Sequence, residues 1–222
     1  MMREFRLQII IVVFLVVLIS GCAQRPKTFS GDLHIHTAAS FDSTESYESV
    51  IEQAVKNHLE FIAITDHNVI DAAIAQKCRQ EKRLLCIVGE EITNKEDHIL
   101  AIDISKKISA SLSNQKVIEQ IRKQGGLAIA AHPLPENGGL TLAEIQTLLP
   151  DAMECASLRL EDTDYMEKLQ EAAARMNIPC IYDSDAHSSV QLGMIVSSCQ
   201  MKELSVEEIK VAVKKGRCSR RQ

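Results

Sequence analysis

The sequence predicts an α/β protein, a parallel sheet or barrel whose strands are covered by helices. Three observations carry this. Short apolar runs of strand length alternate with stretches of helical periodicity along most of the 222 residues. Several runs, such as Phe61-Ile62-Ala63-Ile64-Thr65 and Leu127-Ala128-Ile129-Ala130-Ala131, are apolar at consecutive positions, as strands covered on both faces are. Many of these runs lead into a histidine or a carboxylate. No internal repeat or low-complexity linker divides residues 31–222, so one domain is expected.

At the start, Arg3 and Arg6 precede an apolar run from Leu7 to Ile19, interrupted only by Gln8. The run is shorter than the roughly 20 residues of a spanning helix and ends in small residues, as a signal peptide does. Its end, Leu18-Ile19-Ser20-Gly21-Cys22, resembles the lipobox of bacterial lipoproteins. That resemblance implies a signal peptide over 1–21, lipidation of Cys22 and a lipidated linker over 22–30. An uncleaved N-terminal anchor is the alternative. Either way the expected location is the cell envelope, membrane-anchored and facing the periplasm or the cell exterior. Ala23 resembles the signal for sorting to an outer membrane, where the organism has one.

The first strand is expected at about Asp32 to His36, followed by a loop rich in small and hydroxyl residues, 38–45. A helix from about Tyr47 to Asn57 places Val50, Ile51, Ala54 and Val55 on one face. The strand at 61–65 ends in Asp66-His67-Asn68, and a helix spans about 70–82. Leu84 to Val88 leads into Gly89-Glu90-Glu91-Ile92-Thr93, and His98 to Ile102 is another strand. A helix at about 114–124 stops at Gly125-Gly126, a C-cap pattern. The strand at 127–131 ends in His132-Pro133. A short helix at 142–149, a strand at 152–155 and a helix at 164–176 come next. Cys180-Ile181-Tyr182 then runs into Asp183-Ser184-Asp185-Ala186-His187. Gly193 to Ser197 reads as the last strand, 206–214 as the last helix, and the basic tail 215–221 as frayed.

Composition narrows the function. Hydrophobic residues at 45% and charged residues at 25% are ordinary for a globular protein. The net charge of −5 becomes −6 once residues 1–21 take away two arginines and one glutamate. Neither value gives a basic footprint for duplex nucleic acid. Aromatics at 4%, with no tryptophan, argue against stacking platforms for single strands. Besides Cys22, the cysteines are Cys78, Cys86, Cys155, Cys180, Cys199 and Cys218. They lack the dense spacing of a disulfide scaffold and the CxxC of a zinc ribbon. Cys86 and Cys180 lie in apolar strand-like runs, where small buried residues are the default, so no specific disulfide is expected.

The chemistry is concentrated in the histidines. His34 and His36 stand two apart in a strand, so both imidazoles share one side, with Asp32 just before them. On its own this pair also fits a solvated edge strand. His67, His98, His132 and His187 add four more histidines at or near strand ends, accompanied by Asp66, Glu90, Glu91, Glu154 and Asp185. In a parallel barrel the loops after the strands build one shared site. His98 is the exception, because it opens its strand. Imidazole with carboxylate suits zinc, manganese or iron, and so many ligands would hold more than one ion.

Six pieces, Asp32-Leu-His-Ile-His-Thr37, Thr65-Asp-His-Asn68, Gly89-Glu-Glu-Ile-Thr93, Asp97-His98-Ile-Leu100, Ala131-His-Pro133 and Ser184-Asp-Ala-His187, occur in that order. Together they resemble the PHP (polymerase and histidinol phosphatase) family of metal-dependent phosphoesterases, over most of residues 31–190. The resemblance implies a distorted TIM-like barrel of the PHP type, (βα)7, with seven parallel strands. It also implies two or three divalent ions, Mn2+, Zn2+ or Fe2+. His34 and His36 would hold the first ion with Asp185, and Glu91 would bridge the first and second. His98 and His132 would complete the second; His67, His187 and Asp42 would bind the third. Many members have Ser-Asp where this chain has Ser40-Phe41-Asp42, and some carry the longer form.

Other residues follow from their places beside these motifs. Glu90 reads as a bystander, since the motif position falls on Glu91. Asp66 reads as holding a loop or a ligand imidazole. Glu154 reads as structural or as part of the site, and Arg159 as a phosphate clamp or a solvated arginine. His58 has no partner motif. The implied reaction is hydrolysis of a phosphomonoester, or of a nucleotide or oligonucleotide end, by a hydroxide shared between ions. Glu91, Asp185 and His187 would take the catalytic roles. Short connections leave no room for a helical cap, so an open cleft is expected. Two competing readings are a surface lipoprotein that binds metal or a partner without catalysis, and a metal-dependent C–N hydrolase. The carbamylated lysine such hydrolases often use has no obvious counterpart at these strand ends.

Overall fold

The computed structural model describes residues 25–94, 97–133, 138–160 and 163–222; the apolar run at 7–19 and Cys22 lie outside them. In order, Lys27–Ile35 forms β1, Tyr47–Lys56 α1, Phe61–Ile64 β2, Ala72–Gln80 α2, Leu85–Thr93 β3 and His98–Ile102 β4. Asn114–Lys123 forms α3, Leu127–Ala130 β5, Leu142–Leu148 α4, Ala152–Ala156 β6 and Thr163–Met176 α5. Cys180–Tyr182 forms β7, Ser197–Met201 β8, Val206–Lys214 α6 and Cys218–Arg220 β9. Local chemistry sets several starts. The side chains of Ser46, Asp71, Thr141 and Ser205 accept first-turn N–H groups of α1, α2, α4 and α6. Among the described residues, no helix is long and apolar enough to cross a membrane.

The strands form one sheet in the order β7-β6-β5-β4-β3-β2-β1-β8-β9, and it nearly closes into a barrel. Closure happens just past β7. Ala186 bridges Ile35 in parallel fashion, accepting from His36 N at 2.9 Å and donating to His34 O at 3.3 Å. Two buried carboxylates fasten the same seam: Asp183 accepts from Leu33 N at 2.9 Å, and Asp32 accepts from Ser184 N at 3.1 Å and from its hydroxyl. Leu33, Phe61, Ala63, Ile87, Leu100 and Leu127 pack in one core cluster with Ile209 and Val213 of α6. Other clusters lie between the sheet and α1, where Ile62 and Ile64 meet Val50 and Ile51, and between the sheet and α3.

The strands are not all parallel. β1 with β2, β2 with β3, β5 with β6 and β6 with β7 are parallel, but β4 runs antiparallel to both of its neighbours. The β3–β4 connection, residues 94–97, is too short for the crossover that a parallel pair needs. This reversal accounts for His98: as the first residue of a reversed strand, it reaches the same rim as the last residues of the parallel ones.

Four other expectations change. β1 begins at Lys27, inside the stretch read as linker 22–30, because Lys27 to Gly31 pair with β8. The last-strand reading at 193–197 shifts to Ser197–Met201, since Gly193 sits in a turn with φ of +82°. The tail does not fray: Cys218 to Arg220 pair with β8. Three disulfides form where no specific pairing was expected. Cys78–Cys86 joins α2 to β3, Cys155–Cys180 joins β6 to β7, and Cys199–Cys218 joins β8 to β9. Each pair belongs to neighbouring elements, with Cα atoms 4.0–5.4 Å apart, an adjacency that sequence spacing does not reveal.

Candidate metal centre

Strand ends place the chemistry at one rim of the barrel. His34, just before the end of β1, is fully buried, and its Nδ1 is 2.7 Å from Glu154 Oε1 of β6. That contact turns Nε2 inward, where it has no hydrogen-bond partner and lies 3.2 Å from both Glu91 Oε2 and Asp185 Oδ1. His36 Nε2 converges on the same oxygens, 3.3 Å from Glu91 Oε2 and 3.1 Å from Asp185 Oδ1. Ligand atoms each about 2.1 Å from a shared ion stand about 3.0–3.4 Å from one another. The spacing here fits, and the donor set of imidazoles and carboxylates suits a divalent cation.

Glu91 is the hub. Its Oε1 is 2.7 Å from His98 Nδ1 and 3.2 Å from His132 Nε2, and its Oε2 is 3.0 Å from His67 Nδ1. Asp42 Oδ2 lies 3.2 Å from His67 Nε2 and 3.0 Å from His187 Nε2. Three overlapping groups result, each with its atoms within 4.8 Å of one another: His34, His36, Glu91 and Asp185; His36, Asp42, His67 and His187; and His67, Glu91 and His98. All nine expected metal-site residues thus meet at one rim, with a difference in detail. His36 reaches the Asp42 group as well as the first. His67 stands between Asp42 and Glu91, held by Thr93 Oγ1 at 2.5 Å and by a parallel bridge to Glu91.

The surrounding residues hold these atoms in place. Ser40 Oγ accepts from His67 N at 3.0 Å and lies 3.1 Å from His36 Nδ1. Asp66 accepts from Thr37 N at 2.6 Å and Thr37 Oγ1 at 2.8 Å, so it fastens the loop after β1 rather than an imidazole. Glu154 Oε2 accepts from His132 N at 2.6 Å, so this one carboxylate orients two histidines. Arg159 Nε–H donates to Asp185 Oδ2 at 2.7 Å, and its Nη2 is 4.0 Å from Asp42. Glu90 is buried but takes no part: its Oε2 accepts from Ile108 N at 2.9 Å. His58 lies just past α1 and belongs to none of the three groups.

Backbone geometry is unusual at the same rim. Asp185 has φ of +54° and His132 of +21°, in the left-handed region that side chains other than glycine seldom adopt. Gly138 has φ of +78°, and a Cβ on it would lie 2.8 Å from His98 Nε2. Ser40, Thr93, Asp183 and Ser184 are contributors that motif reading passed over; their signal was only a hydroxyl or acid beside a ligand.

The carboxylates and imidazoles of the site polarise one another. Burial works against charge on Glu91, but His34, His132 and His36 outweigh it and hold its pKa well below the usual carboxylate range. Burial likewise opposes protonation of His34, yet Asp185, Glu154 and Glu91 raise its pKa well above the ordinary imidazole value. His36 rises to about 9 against the same penalty, through Asp185 and Glu91. His67 goes the other way, to about 4, because burial dominates there. A buried site so rich in carboxylates calls for cations, either protons on imidazole or metal ions.

Comparison with known proteins agrees with this geometry. Residues 32–130 match the PHP domain model, and residues 166–218 match the PHP-associated model. An uncharacterised protein of Methanocaldococcus jannaschii, MJ1587, is 37% identical over 113 residues, covering 46% of this chain and 66% of the relative. A two-domain protein from Bacteroides vulgatus containing a predicted PHP-like metal-dependent phosphoesterase superposes with a TM-score of 0.72 at 21% identity. That match covers 88% of this chain and 65% of the other. The lesion-specific endonuclease PfuEndoQ from Pyrococcus furiosus superposes with a TM-score of 0.68 at 19% identity, covering 87% of this chain and 58% of the other. The chain therefore spans about three fifths to two thirds of the length of these proteins.

Proposed function

We propose, from the premise that this chain belongs to the PHP domain family, that its rim site is a multinuclear hydrolytic centre acting on a phosphoester. The coarser statement, a metal-dependent hydrolase, follows from the family and from the clustered ligands. The observation that carries the finer one is the overlap of three ligand groups through Glu91, His36 and His67, open at the edge where Arg159 sits. His34, His36, Glu91 and Asp185 would hold one ion, Glu91 with His98, His132 and His67 a second, and Asp42, His67 and His187 a third. When bound, such ions act as Lewis acids and lower the pKa of coordinated water.

The chain's own residues do the rest. Glu154 takes up Nδ1 of His34 and so directs its Nε2 inward, and Asp183 and Asp32 hold the Asp185 segment against β1. Arg159 brings a guanidinium, about one third exposed, between Asp185 and Asp42, where phosphate oxygens would need neutralising. His187, partly exposed beside Asp42, would hold the third ion on the side where a departing alkoxide needs stabilising. Among the described residues the buried charged side chains are imidazoles and carboxylates, with no lysine for the C–N hydrolase reading.

The same reading extends to location. Lipidation at Cys22 would export the domain, and the pairing of all six later cysteines suits an oxidising compartment. Mass spectrometry of the membrane-extracted protein showing an unmodified Cys22 would overturn the lipidation and leave the uncleaved anchor. The catalytic reading is tested on residues 23–222 purified without chelator, by elemental analysis and by phosphate release from phosphomonoesters and nucleotides with manganese. Two or three ions per chain, with release lost in His34→Ala, is the expected result. Bound ions with no turnover on any ester would favour the non-catalytic reading.

A further inference from the structure

Phe41 lies in the loop after β1, between Ser40 and the candidate ligand Asp42, and is 80% exposed. Its ring stacks on His67, with centroids 4.8 Å apart and planes inclined by 22°. An exposed phenyl ring forfeits most of the free energy that burial would give it, so the fold gains little from this placement. Two more large apolar side chains, Val190 and Met194, are exposed on the segment that follows His187. That segment is tied to the Phe41 loop: Ser43 Oγ donates to His187 O at 3.0 Å, and Ser189 N donates to Glu45 Oε1 at 2.8 Å. Phe41 thus stands exposed beside Asp42 and His67, with the His187 segment tied to its loop, at the end of the site assigned above to the departing group.

We propose that Phe41 is a specificity-determining residue, a platform on which one planar ring of the substrate's leaving group stacks. The inference rests on the phosphoester reading and narrows it to esters whose alcohol carries a nucleobase or an aryl ring. Among the described residues Phe41 is the single aromatic side chain among the exposed large hydrophobics, so it offers a place for one ring and not for a run of bases. A nucleotide or a strand end fits; a long single strand gains nothing further.

The test compares non-hydrolysable phosphonate analogues of adenosine 5′-monophosphate and ribose 5-phosphate, which differ by the base alone, binding to the manganese-loaded protein in calorimetry. Stacking predicts that the base-bearing analogue binds roughly 10- to 100-fold more tightly. Phe41→Ala and Phe41→Leu should both erase that difference while leaving the ribose analogue and the metal content unchanged, and Phe41→Tyr should keep it. Equal binding of the two analogues by the unaltered protein overturns the platform. So does loss of metal and of both ligands together in Phe41→Leu, which would make the ring a support for His67. Failure of the phosphoester reading has a different signature, in which the unaltered protein binds neither analogue.

Discussion

Nδ1 of His34 donates to Glu154 Oε1 at 2.7 Å, and both side chains are fully buried. Because Glu154 also accepts from His132 N, this one acid sets the direction of two candidate ligands on different strands.

Replacing Glu154 by glutamine keeps the shape and removes the charge that fixes the His34 tautomer. Metal affinity should fall about 10- to 100-fold with the fold retained. Calorimetric titration with manganese or zinc, beside a circular dichroism spectrum, measures this. Unchanged affinity would mean that His34 is oriented by something else.

On the proposed reading, Arg159 would lend its charge to a phosphate held beside Asp185 and Asp42. Arg159→Ala should lower kcat/KM about 100-fold at unchanged metal content. Arg159→Lys should recover only part, because a point charge lacks the guanidinium fork. Steady-state kinetics with elemental analysis on the same preparations decides it; a loss of metal in Arg159→Lys would assign the residue to structure instead.

Burial raises the Glu90 carboxyl to about 7 from an ordinary value of 4.5. Between those values the folded chain holds the proton more tightly than the unfolded chain does. Stability from this group is therefore complete below pH 4.5, falls as pH rises and is gone above about 7. Glu90→Gln can still accept from Ile108 N without carrying the charge. It should stabilise the protein by about 1–3 kcal/mol at pH 8 and by almost nothing at pH 4.5. Denaturant melts at the two pH values give the comparison, and an equal effect at both would refute the assignment.

The Cys199–Cys218 bridge ties β8 to β9 and lies apart from the ligand groups. Changing both cysteines to alanine should cost about 3 kcal/mol and leave metal content intact. Chelation should lower the melting temperature separately, and the two losses should add, as they do for sites without shared partners. A double mutant that also loses metal would show that the tail strand supports the site.

How far the sequence reaches depends on whether a feature is local. His34 stands on β1 and His36 directly past its end, and the Glu91, His132 and Asp185 motifs mark strand ends, so a chain-order reading could bring them to one rim. The reversal of β4 was visible only as an oddity, a ligand at the wrong end of its strand. The disulfides stayed hidden because Cys155 and Cys180, or Cys199 and Cys218, become neighbours only once the sheet order exists. Thr93 and Ser40 were hidden for a related reason: a hydroxyl carries no signature until an imidazole is beside it. His67 belongs to two groups because β2 and β3 lie side by side, which no motif states.

β1 begins at Lys27 on one rim and delivers His36 to the other, nine residues and about 30 Å of strand further on. Cys22 precedes Lys27 by five residues, a reach of at most about 18 Å. A lipid on Cys22 would therefore moor the barrel by its lower rim, with the cleft turned away from the bilayer. Esters dissolved in the surrounding fluid would meet the part-exposed edge at Arg159, Asp42 and His187 directly. Headgroups of the lipids that hold the protein would lie beneath its floor, out of reach of Glu91.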